Sequence, residues 1–218
     1  PEEKDAYFLR GSAELELGDY ESAKADFDKA ISMDPKNYDR LIEIYEALAD
    51  YGYREVGQEY LQNVLNTEKK LDAYDSGRIY YYLGDYQKAY LALEEAKGKG
   101  GVDSYLYLGK AYAATGDYNY ASSVYSNYLS KQGPDAEIYN QLGLCEMAKK
   151  DYQKALEAFQ AGKQIEGNSL MQTLSFNEIV AYEYLQDYQK AAVLLKAYLQ
   201  NYPDDQAAIR EQQFLSTR

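Results

Sequence analysis

Histidine is absent from all 218 residues, and with it go the commonest general base, the commonest zinc ligand and most arrangements that activate a nucleophile. Tryptophan is missing too, proline appears four times, and a single cysteine, Cys145, leaves no partner for an internal disulfide. One cysteine fits either a reducing cytosol or an exported bacterial protein held together by helix packing. Positive charge is short: 23 Lys and Arg stand against 36 Asp and Glu, a net charge of −13. Such a surface repels phosphate backbones and anionic lipid, so nucleic acid and membrane surfaces are disfavoured as primary partners and basic or neutral polypeptides are expected. No apolar run approaches the roughly 20 residues that a bilayer-spanning helix needs, because Glu or Asp interrupts each one. Neither an alternating-acid Ca²⁺ loop nor a paired-acid glycosidase pattern can be picked out, so no metal, cofactor or catalytic residue is expected. The chain opens on Pro1 without Met or a basic-apolar leader. With the acidic balance, this leans toward a trimmed, exported and surface-tethered bacterial protein rather than a cytoplasmic one.

What is present is repetition. Gly-Asp-Tyr stands at Gly18-Asp19-Tyr20, Gly84-Asp85-Tyr86 and Gly116-Asp117-Tyr118, with relatives Lys150-Asp151-Tyr152 and Gln186-Asp187-Tyr188 and a degenerate turn at Gly52-Tyr53-Arg54. Equivalent residues recur at a period near that of a two-helix repeat, which makes the chain an array of one supersecondary unit. Apolar residues at three- and four-residue spacing flank each turn, so every unit reads as two amphipathic helices and the fold class as all-α. The aspartates of the turns are placed to cap the second helices.

The fourth unit shows the pattern most fully. Tyr105, Leu108, Gly109 and Tyr112 are followed by Ala121, Tyr125 and Tyr128, then Gly133-Pro134. An aromatic, Leu-Gly, Tyr, then Ala with an aromatic four residues on and a closing Pro resembles the tetratricopeptide repeat, and the resemblance covers almost the whole chain. It implies an α-solenoid of six helix pairs at about 4–37, 38–69, 70–101, 102–135, 136–171 and 172–205, with a capping helix over 206–218. A small slot in the second helices (Ala23, Gly57, Ala89, Ala121, Ala155, Ala191) and a Gly slot in the first (Gly11, Gly77, Gly109, Gly143) let backbones approach closely. Tyr45 and Ile179 break the Gly slot, so those two pairs are expected to splay. Cys145 occupies a small packing slot filled elsewhere by Ala13, Ala47, Ile79, Ala111 and Ala181, which makes it a core residue rather than a reactive thiol. Lys97-Gly98-Lys99-Gly100-Gly101 reads as a flexible connector.

Tyrosine is the compositional excess: 27 against five Phe. Most are expected at packing slots, such as Tyr20, Tyr86, Tyr118, Tyr152 and Tyr188, with the ring buried and the hydroxyl at the rim. The resemblance places the first helices along a concave groove and so implies a peptide-binding surface of Tyr74, Arg78, Tyr81, Tyr82, Leu106, Lys110, Asn140, Leu144 and Phe176. Arg78, Lys110 and Asn140 give at most a reduced form of the carboxylate clamp that some members of that family use. The two cations either orient an acidic group of a bound peptide or pair with neighbouring carboxylates. The function that follows is a non-enzymatic adaptor for a protein or peptide. A surface saccharide-binding protein, or the helical interaction domain of a larger enzyme or receptor, are the alternatives.

Overall fold

The computed structural model describes residues 3–97, 99 and 101–217. Gly98 and Gly100 of the expected connector lie outside the described residues, as do Pro1, Glu2 and Arg218. Among the described residues there are thirteen α-helices and no strand, an all-α helical repeat array. Two compact units divide at Ala96. The first holds α1 (Glu3–Glu16), α2 (Tyr20–Met33), α3 (Tyr38–Asp50), α4 (Arg54–Thr67), α5 (Ala73–Tyr82) and α6 (Tyr86–Ala96). The second holds α7 (Gly101–Ala114), α8 (Tyr118–Gln132), α9 (Ala136–Ala148), α10 (Tyr152–Lys163), α11 (Met171–Tyr184), α12 (Tyr188–Asn201) and α13 (Gln206–Leu215). None of these helices is long and apolar enough to cross a membrane.

Each hairpin is made by its turn. The carboxylates of Asp19, Asp117, Asp151 and Asp187 accept the amide three residues on, closing the second helix at its free N–H end. Ahead of these second helices the chain turns left-handed, and Gly18, Gly52, Gly84 and Gly116 do so without a Cβ penalty. Lys150 and Gln186 hold the same conformation at φ 64° and 63° with side chains attached. Left-handed backbone costs an L-residue about 1 kcal/mol, so Lys150→Gly and Gln186→Gly are each expected to raise stability by roughly 0.5–1 kcal/mol. Urea unfolding of the two variants measures this directly, and an unchanged midpoint would remove the strain argument.

The Gly slot of the first helices works as a socket for a large side chain of the second. A Cβ on Gly11 would stand 2.8 Å from the Phe27 ring, and one on Gly77 would stand 2.5 Å from Leu93 Cγ. Gly109 meets Tyr125, and Gly143 meets Phe159, more closely still. Phe27, Leu93, Tyr125 and Phe159 are all fully buried. At Tyr45 the polarity of the contact is inverted. The large residue sits on the first helix and the small one, Gly57, on the second, where a Cβ would lie 2.9 Å from the Tyr45 ring. This exchange lets α3 accept Tyr45 in the slot from which splaying was expected, with the ring 4% exposed and packed with Leu61 and Ile79. Ile179 is likewise enclosed, in a cluster with Ala191 and Leu195.

Cys145 is 4% exposed, and burial pushes its thiol up to about 12, as a packing residue requires. Of the tyrosines expected to bury their rings at the turns, Tyr20, Tyr86, Tyr118, Tyr152 and Tyr188 are only half-buried. Several instead stack along the turn edge, Tyr20 on Tyr53 at 4.1 Å and Tyr152 on Tyr184 at 4.8 Å. The most deeply buried rings are those of Tyr45, Tyr105, Tyr125 and Tyr198.

The last helix, α13, closes the second unit by seating Ala208 and Leu215 against the cluster of Ile179, Leu195 and Tyr198. It also brings Glu211 to Glu183 of α11, and burial together with that second carboxyl pushes Glu183 up to about 7. Glu183 is therefore protonated more readily folded than unfolded. Its contribution favours the fold below its ordinary value near 4.5 and is lost as pH rises through about 7. Glu183→Gln is expected to match the parent near pH 5 and to exceed it in stability near pH 8. Parallel urea titrations at the two pH values test this, and a variant equal to the parent at both would end it.

Candidate peptide-binding faces

In the first unit the first helices pack side by side, α1 on α3 and α3 on α5. Their shared face is built from aromatic rings and a ladder of charges. Arg78 of α5 lies with its guanidinium 4.3 Å from the Tyr74 ring centroid, one nitrogen on Asp75 at 2.6 Å and another on Asp39 of α3 at 2.5 Å. The next rung repeats the arrangement: Arg40 of α3 lies 4.1 Å from the Phe8 ring centroid and pairs with Asp5 of α1 at 2.8 Å and Glu43 at 3.0 Å. A third contact joins the helices where the Tyr82 hydroxyl donates to Glu46 at 2.5 Å.

This placement decides between the two readings of Arg78. Its side chain is 8% exposed and both terminal nitrogens are occupied, so the orienting role for an acidic ligand gives way to a structural one. The Nε faces the interior without a partner. Desolvation opposes the charge of Arg78 while the two carboxylates hold it on. Tyr82 lies edge-on to Tyr45 of the neighbouring helix, at 5.2 Å between centroids. Tyr81 points along the turn toward Tyr86, 5.7 Å away, and is packed edge-on against Tyr82. Tyr74, Tyr81 and Tyr82 all remain half-buried.

In the second unit α7 packs on α9, and Asn177 of α11 donates to Asn140 of α9 at 2.9 Å. Lys110 of α7 lies 3.6 Å from Glu137 of α9, a loose pair in which both side chains are 31% exposed. Leu106 is 9% exposed and Asn140 5%, so both serve the packing of the face more than its surface. Leu144 is presented outward at 42% exposure. Phe176 leans onto Tyr198 of α12, with centroids 5.7 Å apart. The expected residues thus fall on two faces, one in each unit: Tyr74, Arg78, Tyr81 and Tyr82 on the first, the other five on the second.

Sequence reasoning places Glu46 along the groove but passes over Asp39, Glu43 and Asp50 of the same helix. Asp39, Glu43, Glu46 and Asp50 are spaced i, i+4, i+7, i+11, the period of one helix stripe, and all four are exposed. That spacing was the available signal. A cleft of the first unit lies elsewhere. It is a polar hollow of about 630 Å³ among Glu55, Glu59, Gln62, Tyr80, Asp85 and Lys88, where Lys88 already pairs with Asp85 at 2.6 Å.

Stacked helix pairs that present side-chain faces along their first helices define a protein-interaction scaffold of the helical-repeat class. The chain belongs to the tetratricopeptide repeat family, whose repeats match residues 4–37, 106–169 and 176–205. Among solved structures it is similar to PilW, a widely conserved type IV pilus biogenesis factor, at 16% identity and a TM-score of 0.68 over 99% of both chains. It is similar to PilF of Pseudomonas aeruginosa at 18% identity and a TM-score of 0.57, over 99% of this chain and 97% of that one. YrrB, a repeat protein with an unusual peptide-binding site, aligns at 20% identity and a TM-score of 0.56 over 86% of this chain and 97% of its own. At these identities the likeness is one of fold. No curated protein sequence matches the chain.

Proposed function

We propose that the chain is a scaffold without catalytic activity of its own that holds polypeptide segments against the faces of its first helices. The observation that carries this reading is the state of the face residues. Tyr74, Tyr81 and Tyr82 are half-buried and Leu144 is 42% exposed, on helices whose backbones are already satisfied. Rigid aromatic and apolar side chains of this kind supply contact area at low entropic cost, and a few of them dominate most polypeptide interfaces. The fold shared with YrrB, which is described as having an unusual peptide-binding site, supports the same role.

Selection of a random displayed peptide library on the full chain tests the reading. Enriched peptides are expected to lose about tenfold in affinity on Tyr82→Ala or on Leu144→Ala, according to the unit they bind. Tyr120→Ala, on the outer helix α8, is the control, since Tyr120 is 52% exposed there. Peptides that ignore both face variants and respond only to the control would overturn the proposal.

A further inference from the structure

The charge ladder of the first unit contains a pattern and one departure from it. On two rungs a guanidinium lies over an aromatic ring and between two carboxylates: Arg40 over Phe8 with Asp5 and Glu43, and Arg78 over Tyr74 with Asp39 and Asp75. Further along α3 the same ingredients recur. Glu46 accepts the Tyr82 hydroxyl, Tyr81 packs edge-on against the Tyr82 ring, and Asp50 follows one turn on from Glu46. Among the described residues no cation lies within ion-pairing distance of Glu46 or Asp50, and the cations of α1, α3 and α5 are all engaged elsewhere, Lys4 with Asp34 and Arg10 with Asp26.

We infer that this end of the face receives a lysine or arginine side chain from a bound polypeptide, so that the partner of the first unit is a cationic segment. The inference rests on the scaffold reading above and specifies the chemistry of its ligand. Charge complementarity carries it: α3 leaves Glu46 exposed against Tyr82, with the exposed Asp50 one turn on, while Arg40 and Arg78 of the same face are consumed by internal pairs. A cation over tyrosine gains from the ring quadrupole, and a flanking carboxylate adds direction. The two filled rungs show that the chain's own arginines adopt this arrangement. An acidic ligand would meet Asp39, Glu43, Glu46 and Asp50 together, with Arg40 and Arg78 already paired and Arg54 of α4 donating to the Tyr45 hydroxyl.

The peptide selection supplies the test. Peptides enriched on the full chain and lost on Tyr82→Ala are expected to carry net positive charge and to weaken as salt rises. On Glu46→Gln/Asp50→Asn their affinity is expected to fall about tenfold. Glu55→Gln/Glu59→Gln removes the same charge from exposed positions of α4 and is expected to leave affinity within about twofold, which separates a local socket from the overall field of an acidic protein. If the Tyr82-dependent peptides are neutral or acidic, or bind Glu46→Gln/Asp50→Asn as tightly as the parent, the cationic partner is refuted while the face itself stands. If no enriched peptide depends on Tyr82, both the face of the first unit and its proposed ligand are refuted.

Discussion

Gly143→Ala is expected to cost the second unit about 2–4 kcal/mol and to lower its melting temperature by roughly 5–12 °C, although it adds a single methyl group. The site for that methyl is occupied by the Phe159 ring, which is fully buried and cannot retreat without opening the interface between α9 and α10. The size of the loss follows from this rigidity, because a close-packed interior answers an added atom with displaced backbone or an off-rotamer ring. The chain also indicates a rescue. Where the first helix carries Ile179 instead of Gly, the second carries Leu195 in the aromatic slot, and both are enclosed. Phe159→Leu, harmful alone through lost volume, is therefore expected to recover at least about 1 kcal/mol in the Gly143→Ala background. A thermal double-mutant cycle measures that coupling, and additive losses would show that the two sites do not share one socket.

The second large effect is an asymmetry between two cations that look alike in the sequence. Arg78→Ala is expected to destabilise the first unit by about 2–3 kcal/mol, because it leaves Asp75 half-buried and unpaired beside the Tyr74 ring. Lys110→Ala, whose pair with Glu137 is loose and partly solvated, is expected to stay within about 0.5 kcal/mol of the parent. The pH dependence follows from Asp75. Burial already raises its carboxyl above the ordinary value while Arg78 pulls it back, so removing Arg78 raises it further. A carboxyl raised in the fold contributes unfavourably at neutral pH, and that contribution is relieved as pH falls through its folded value. The deficit of Arg78→Ala is accordingly expected to shrink between pH 7 and pH 4.5 in urea titrations. Equal losses for the arginine and lysine variants would contradict the geometry of the ladder.

These cases show which parts of the molecule were legible in the sequence. The turns were, because everything that makes them is local: the left-handed residue, the capping aspartate and the tyrosine that starts the next helix are consecutive. The all-α repeat architecture followed from their period. The identity of the residues along the first helices was legible too, but not their electrostatic state. Arg78 pairs with Asp39, 39 positions away in the chain, and burial together with Glu211 on another helix raises the Glu183 carboxyl. Neither partner sits at a spacing that announces it. The tyrosines at the turns were assigned to the interior because the repeat pattern shows that a slot is aromatic without showing which way the ring lies. Stacks such as Tyr20 on Tyr53 belong to the turn edge.

The inverted contact at Tyr45 and Gly57 reaches beyond stability. Since the bulky member sits on α3 and the cavity for it on α4, those two helices form an inseparable cassette. Joining α3 to any other second helix would drive its ring into an alanine at the slot of Ala23, Ala89, Ala121, Ala155 or Ala191. Recombination among such genes can therefore tolerate crossovers in the loops between hairpins, while crossovers inside this hairpin would be purged. The lineage of the second repeat should accordingly be inherited whole.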